Sequence, residues 1–95
     1  MQINYTQSAF NSLLELVNFI ESNNTAGAGS RWLYRFEAFL METSKTATLV
    51  PLCNNQTFRA LALRCVIFND WVIAFTIQEN TMLVEALLHR SRLSD

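Results

Sequence analysis

The chain predicts a two-layer α+β domain: an N-terminal strand, an antiparallel helical hairpin, then a three-stranded antiparallel meander. Three observations predict it. Apolar residues recur at helical spacing from Phe10 to Leu40. After Phe58 the period shifts to the alternation of strands. The links between the later strands are too short for crossovers, so neighbours run antiparallel. Two amphipathic helices laid on one face of such a sheet complete the layers. With 95 residues, positions 1–95 read as a single domain.

The elements follow in order. "QINYT" alternates Ile3 and Tyr5 with polar neighbours and reads as the first strand. Ser8 is placed to cap a helix whose apolar face is Phe10, Leu13, Leu14, Val17 and Ile20, widened by Leu16 and Phe19. "SNNTAGAGS" breaks that pattern, because Asn and Gly favour turns. A second helix starts between Thr25 and Ser30, with Trp32, Phe36, Phe39 and Leu40 as its stripe and Leu33 beside it. Gly27 and Gly29 let two backbones approach closely. "ETSKTATLVPLCNNQT" is a connector, since Pro51 and Asn54–Asn55 disfavour a continuous regular element. "FRALALRC" is expected as a strand with Leu61, Leu63 and Cys65 on one face. "IFND" turns the chain, "WVIAFTI" has the β-branched and aromatic density of a central strand, "QENT" makes a hairpin loop, and "MLVEALL" is the last strand.

Composition narrows the function. Hydrophobic residues make up 51% and charged residues 16%, against about 25% charged in ordinary globular domains. That balance leaves apolar surface for a partner. A net charge of −1 gives no bulk drive toward nucleic acid, so such affinity needs a local patch. Cys53 and Cys65 permit one disulfide but match no metal spacing, and the preferred reading is reduced thiols in the cytosol. No secretion signal opens the chain, and no apolar run reaches the ~18 residues of a membrane span.

The chemistry-bearing residues are few. His89 is the sole histidine and the natural general base near neutral pH. The meander is expected to bring it near Arg59 or Arg64, which could stabilise charge on a phosphate. Against this stands the plainer reading of a histidine packed at a strand end. His89, Arg90 and Arg92 form a small basic patch, suited to phosphates or an acidic partner surface and partly offset by Asp95. Trp71 and Phe75 could stack on bases, but their apolar strand favours a core role. Zinc, calcium and serine-triad signatures are missing, so no metal or cofactor is expected.

The C-terminal half carries a resemblance: Arg59 opening one strand, then "WVIAFTI", "QENT", and "MLVEALLHRSR" ending in His89 to Arg92. With the N-terminal strand and hairpin, this resembles the RelE/ParE superfamily, the toxins of type II toxin–antitoxin, or plasmid-stabilisation, pairs. The resemblance implies a cytoplasmic, growth-inhibiting protein held in a hetero-oligomeric complex with a cognate antitoxin, reaching promoter DNA only through that antitoxin. Two activities are common in the superfamily: ribosome-dependent cleavage of mRNA, and non-enzymatic inhibition of DNA gyrase. This chain has no tyrosine in its C-terminal half, no lysine after Lys45 and a slightly acidic balance. These departures favour the ParE-like, gyrase-directed branch, with His89, Arg90 and Arg92 at the target. The runner-up is an endoribonuclease using His89 with Arg59 and Arg64; a degenerate antitoxin-binding domain is a further alternative. Leu13, Leu16, Phe19, Trp32, Phe36 and Phe39 are expected to offer the antitoxin-binding groove.

Overall fold

The computed structural model describes residues 1–93; Asp95, expected to offset the basic patch, lies outside them. The chain runs β1 (Gln2–Tyr5), α1 (Gln7–Ser22), α2 (Ala28–Ser44), α3 (Gln56–Ala60), β2 (Arg64–Phe68), β3 (Trp71–Gln78) and β4 (Thr81–His89). The strands form one sheet in the order β1-β4-β3-β2. β2, β3 and β4 make the expected antiparallel meander. β1 joins its outer side parallel to β4, with Ile3 opposite Met82 and Tyr5 opposite Val84.

Both long helices lie on the same face of the sheet. Trp32, Phe36 and Leu40 of α2 are buried, as their spacing predicts, and meet Ile73, Phe75, Met82 and Val84 from the sheet. Phe36 stacks on Trp32 and meets Phe68 edge-on. Helix α1 turns differently from expectation. Ala9, Leu13 and Leu16 face the core, while Phe10 and Leu14 remain exposed. Its cap also shifts: Thr6, not Ser8, accepts the Ala9 N–H at 3.1 Å. Thr6 leaves β1 in extended backbone, so its hydroxyl is the first free to meet the orphan amides of α1.

The hairpin between the helices depends on two glycines. Gly27 has φ +87° and offers no capping side chain. Glu21, from the last turn of α1, takes over: its carboxylate accepts the Gly27 and Gly29 N–H groups at 2.8 Å each. Those two donors hold the Glu21 carboxyl below its ordinary pKa. A Cβ on Gly29 would lie 2.8 Å from the Val17 carbonyl, so the expected close approach is real.

The connector and the first strand of the meander depart from expectation. Residues 56–60 are helical, and the strand begins only at Arg64. The Asn55 side chain accepts the Phe58 N–H at 2.9 Å, which caps a helical turn in place of a strand. Left-handed backbone at Ala62, φ +59°, then ends the turn. Arg59 therefore sits on α3 and opens no strand. Its guanidinium reaches the Cys53 carbonyl at 3.5 Å.

The two cysteines are bonded to each other, not reduced as the sequence suggested. Cys65 projects from β2 on the face of the sheet opposite the long helices. There Cys53, Leu63 and Ala74 form a second, smaller core, with Phe58 packed against it. The Cys53 N–H also donates to the Leu63 carbonyl at 2.9 Å, and Leu52 pairs with Arg64. Spacing rules exclude a metal pair but cannot report this proximity, because it arises only once α3 folds the connector back on β2.

Candidate functional site

The site is set by an irregularity in β4. Ala74 pairs with Ala86, but Phe75 pairs with Val84, leaving Glu85 without a partner. This bulge shifts the side-chain alternation by one position. Before it, Met82 and Val84 face the helices; after it, Leu87 and His89 do. Without the extra residue, Leu88 would take the helix side and His89 would turn to the other. Glu85 itself is half-buried and accepts the Thr76 hydroxyl at 2.6 Å. A carboxylate inside an apolar strand is thus accounted for by the bulge and its hydroxyl partner.

His89 lies directly across from Trp71, their rings perpendicular with centroids 5.2 Å apart. The chain then enters a 3-10 turn, Arg90–Arg92. The Ser91 N–H donates to His89 Nδ1 at 3.2 Å, and the Ser91 hydroxyl lies 2.8 Å from the same nitrogen. Nδ1 is therefore the acceptor, and the neutral ring carries its proton on Nε2. Arg90 is tied back to the β2–β3 turn. Its Nε lies 3.3 Å from Asp70 Oδ1, and its N–H donates to the Asp70 carbonyl at 2.9 Å. Arg92 is exposed and makes no ion pair among the described residues.

These groups rim a groove of about 660 Å³ between the end of β4 and α1. Its other wall carries Ser12, Glu15 and Phe19. The groove thus combines an aromatic and aliphatic floor with the Glu15 carboxylate, the exposed Arg92 guanidinium and an imidazole N–H. Such a surface can hold an apolar side chain and read polar groups around it. It does not assemble a proton relay: no carboxylate among the described residues bonds to His89.

The sequence-predicted residues divide accordingly. His89, Arg90 and Arg92 are brought together at one accessible tip, with Arg90 partly neutralised by Asp70. Arg64 and Arg59 do not join them. Arg64 pairs with Phe75, whereas His89 pairs with Trp71, at the other end of β3. Four residues along the strands and two strands across put them apart by about 13 Å and about 10 Å in those directions. Arg64 instead donates to the carbonyls of Thr48 and Val50, fastening the connector. The expected meeting of His89 with these arginines fails because β4 runs parallel to β2 across β3, so its end lies level with Phe68 and not with Arg64 at the start of β2.

The residues of the expected antitoxin groove are divided between core and surface. Leu13, Leu16, Trp32 and Phe36 are buried, and Phe39 packs partly buried against Phe68. They hold the helices on the sheet, and Leu16 also lines the groove that carries Phe19 and His89. Phe19 alone of the six is exposed, at 62%. Glu15, Ser12 and Asp70 are members of the site that residue-type reasoning passed over. Their only sequence signal is the i, i+4 spacing of Glu15 and Phe19 on one helix face, which needs the position of β4 to acquire meaning.

Among the described residues no cluster of side chains could hold a metal ion, and no helix is long and apolar enough to cross a membrane. No model of a known protein family matches the chain, and no curated protein does.

Proposed function

We propose that the chain is a ParE-like toxin of the RelE/ParE kind, which inhibits growth by binding DNA gyrase and is neutralised by a cognate antitoxin. One observation carries the reading. The groove that exposes His89 and Arg92 is the same groove that exposes Phe19, the sole accessible residue of the expected antitoxin surface. A partner seated on Phe19 would cover the target-binding tip, and neutralisation then needs no conformational change. The element order, with a strand and helical hairpin before the meander, supports the same reading. His89 without a carboxylate partner among the described residues, and Arg59 and Arg64 at a distance, favour a binding protein over a nuclease.

Gyrase is a cytoplasmic target, and the cytoplasm keeps thiols reduced. The reading therefore requires the fold to hold with Cys53 and Cys65 as free thiols. The Cys53 N–H to Leu63 carbonyl bond and the Arg64 contacts to the connector act independently of the sulfurs.

The test is induction of the chain alone in a bacterial host, with plasmid supercoiling and transcript integrity followed together. Purified gyrase is then assayed with the wild type, Arg92→Ala and Phe19→Ala. The expected result is growth arrest with lost supercoiling and intact transcripts, relieved by Arg92→Ala. Cleaved transcripts with normal supercoiling would establish the ribonuclease alternative instead. Unimpaired growth would leave a binding domain without toxicity.

A further inference from the structure

The two edges of the sheet are treated differently. At the β2 edge, Leu52 pairs with Arg64 and the Arg64 guanidinium fastens the connector across the start of the strand. At the β1 edge nothing comparable occurs. The Gln2 and Thr6 N–H groups donate to Asn80 and Val84 carbonyls of the β4 side, at 3.0 and 2.9 Å. Strand alternation then turns the N–H and C=O of Ile3 and Tyr5 outward. Natural edges are commonly blunted by Lys, Pro or a bulge; Gln2–Tyr5 contains none of these. A groove of about 540 Å³ runs along this edge, walled on the helix side by Glu37, Leu40 and Met41 of α2. The Glu37 carboxylate makes no ion pair among the described residues. Its charge is felt in the groove, since it helps burial hold the Tyr5 hydroxyl in its neutral form.

We infer that the β1 edge is a docking site for an extended peptide segment of a partner protein, carrying a lysine or arginine that faces Glu37 between apolar neighbours. The outward N–H and C=O groups of Ile3 and Tyr5 select a β-strand. The Leu40 and Met41 wall selects apolar side chains at alternate positions, and the Glu37 carboxylate selects a cation. A second copy of this chain fits less well, because two-fold pairing of the β1 edges would bring two Glu37 carboxylates toward one another. The site lies on the outer side of β1, at the edge of the sheet opposite β2, uses none of the His89 groove, and stands whether or not the chain is a toxin.

The probe is a blocked seven-residue peptide in which threonine alternates with valine, lysine and valine. It is titrated into the 15N-labelled chain, beside a version with glutamate in place of lysine. The lysine peptide shifts the Ile3 and Tyr5 amide resonances and slows their hydrogen exchange. It binds roughly 5-fold more tightly than the glutamate peptide, as an exposed ion pair allows. Glu37→Gln removes that difference while leaving the spectrum of the free protein otherwise intact, and Arg92→Ala changes nothing. The inference is overturned by equal binding of the two peptides, by shifts confined to the Phe19 groove, or by no shifts at millimolar peptide. It is equally overturned if Ile3 and Tyr5 shift with protein concentration alone, which would assign the edge to a second copy.

Discussion

Reducing the Cys53–Cys65 bond tests how this small domain holds its second core. The bond joins residues separated by 12 positions. A cross-link closing a loop of about 13 residues removes about 10 cal/mol/K of entropy from the unfolded chain, which is about 3 kcal/mol at 25 °C. The folded state keeps its other ties between connector and β2, so most of this loss acts through the unfolded state. The assay is urea unfolding followed by tryptophan fluorescence, with and without a phosphine reductant. Reduction should lower the midpoint by about 1–3 M and the thermal midpoint by roughly 12–24 °C. The slope against urea should rise, because the reduced chain exposes more surface when it unfolds. Cys53→Ala/Cys65→Ala should behave like the reduced wild type and be insensitive to reductant. Stabilities within about 0.5 kcal/mol for the oxidised and reduced forms would refute the reasoning, since the cross-link would then constrain nothing that other contacts leave free.

Three further outcomes follow from named contacts. Gly29→Ala should destabilise by about 1–3 kcal/mol in calorimetry, because the clash with the Val17 carbonyl outweighs the roughly 1 kcal/mol gained in helix propensity. Thr6→Ala should cost about 1 kcal/mol in urea melts by removing the α1 cap, whereas Ser8→Ala should cost little. Burial, then the Glu37 charge, pushes the Tyr5 phenol up to about 12 from 10.0. The neutral phenol is favoured by folding, so its contribution is complete below pH 10 and is lost as the pH rises toward 12. Ultraviolet titration should show one late-ionising tyrosine, absent in Tyr5→Phe.

Where local pattern decides structure, the residues themselves show it. The Trp32, Phe36, Leu40 stripe has one apolar face and buries it. The meander follows from "WVIAFTI" and "MLVEALL", and its two-residue loop at Glu79–Asn80 leaves no other topology. In α1 the residues offer two overlapping stripes. Only the position of the sheet chooses Ala9, Leu13 and Leu16 over Phe10 and Leu14. Around Phe58 an alternating pattern competes with an Asn55 cap, and the cap wins because the chain must turn back toward β2. The tip at His89 to Arg92 was legible as a basic cluster. Its orientation was not, because a bulge at Glu85 has no signature in residue type. The separation of His89 from Arg59 and Arg64 is likewise a matter of register, which a single strand's pattern does not contain.

The parallel pairing of β1 with β4 also orders events in time. Each residue of β1 lies 79 positions from its partner, Gln2 against Thr81 and Ile3 against Met82. Pairing β1 with β4 closes a far longer span than the β3–β4 hairpin, and that closure entropy must be met before the contact contributes. Refolding should therefore complete the helices and meander early and add the N-terminal strand late. Until that moment the flank of β4 is bare, and the interval is when a newly made chain is most open to pairing with a neighbour.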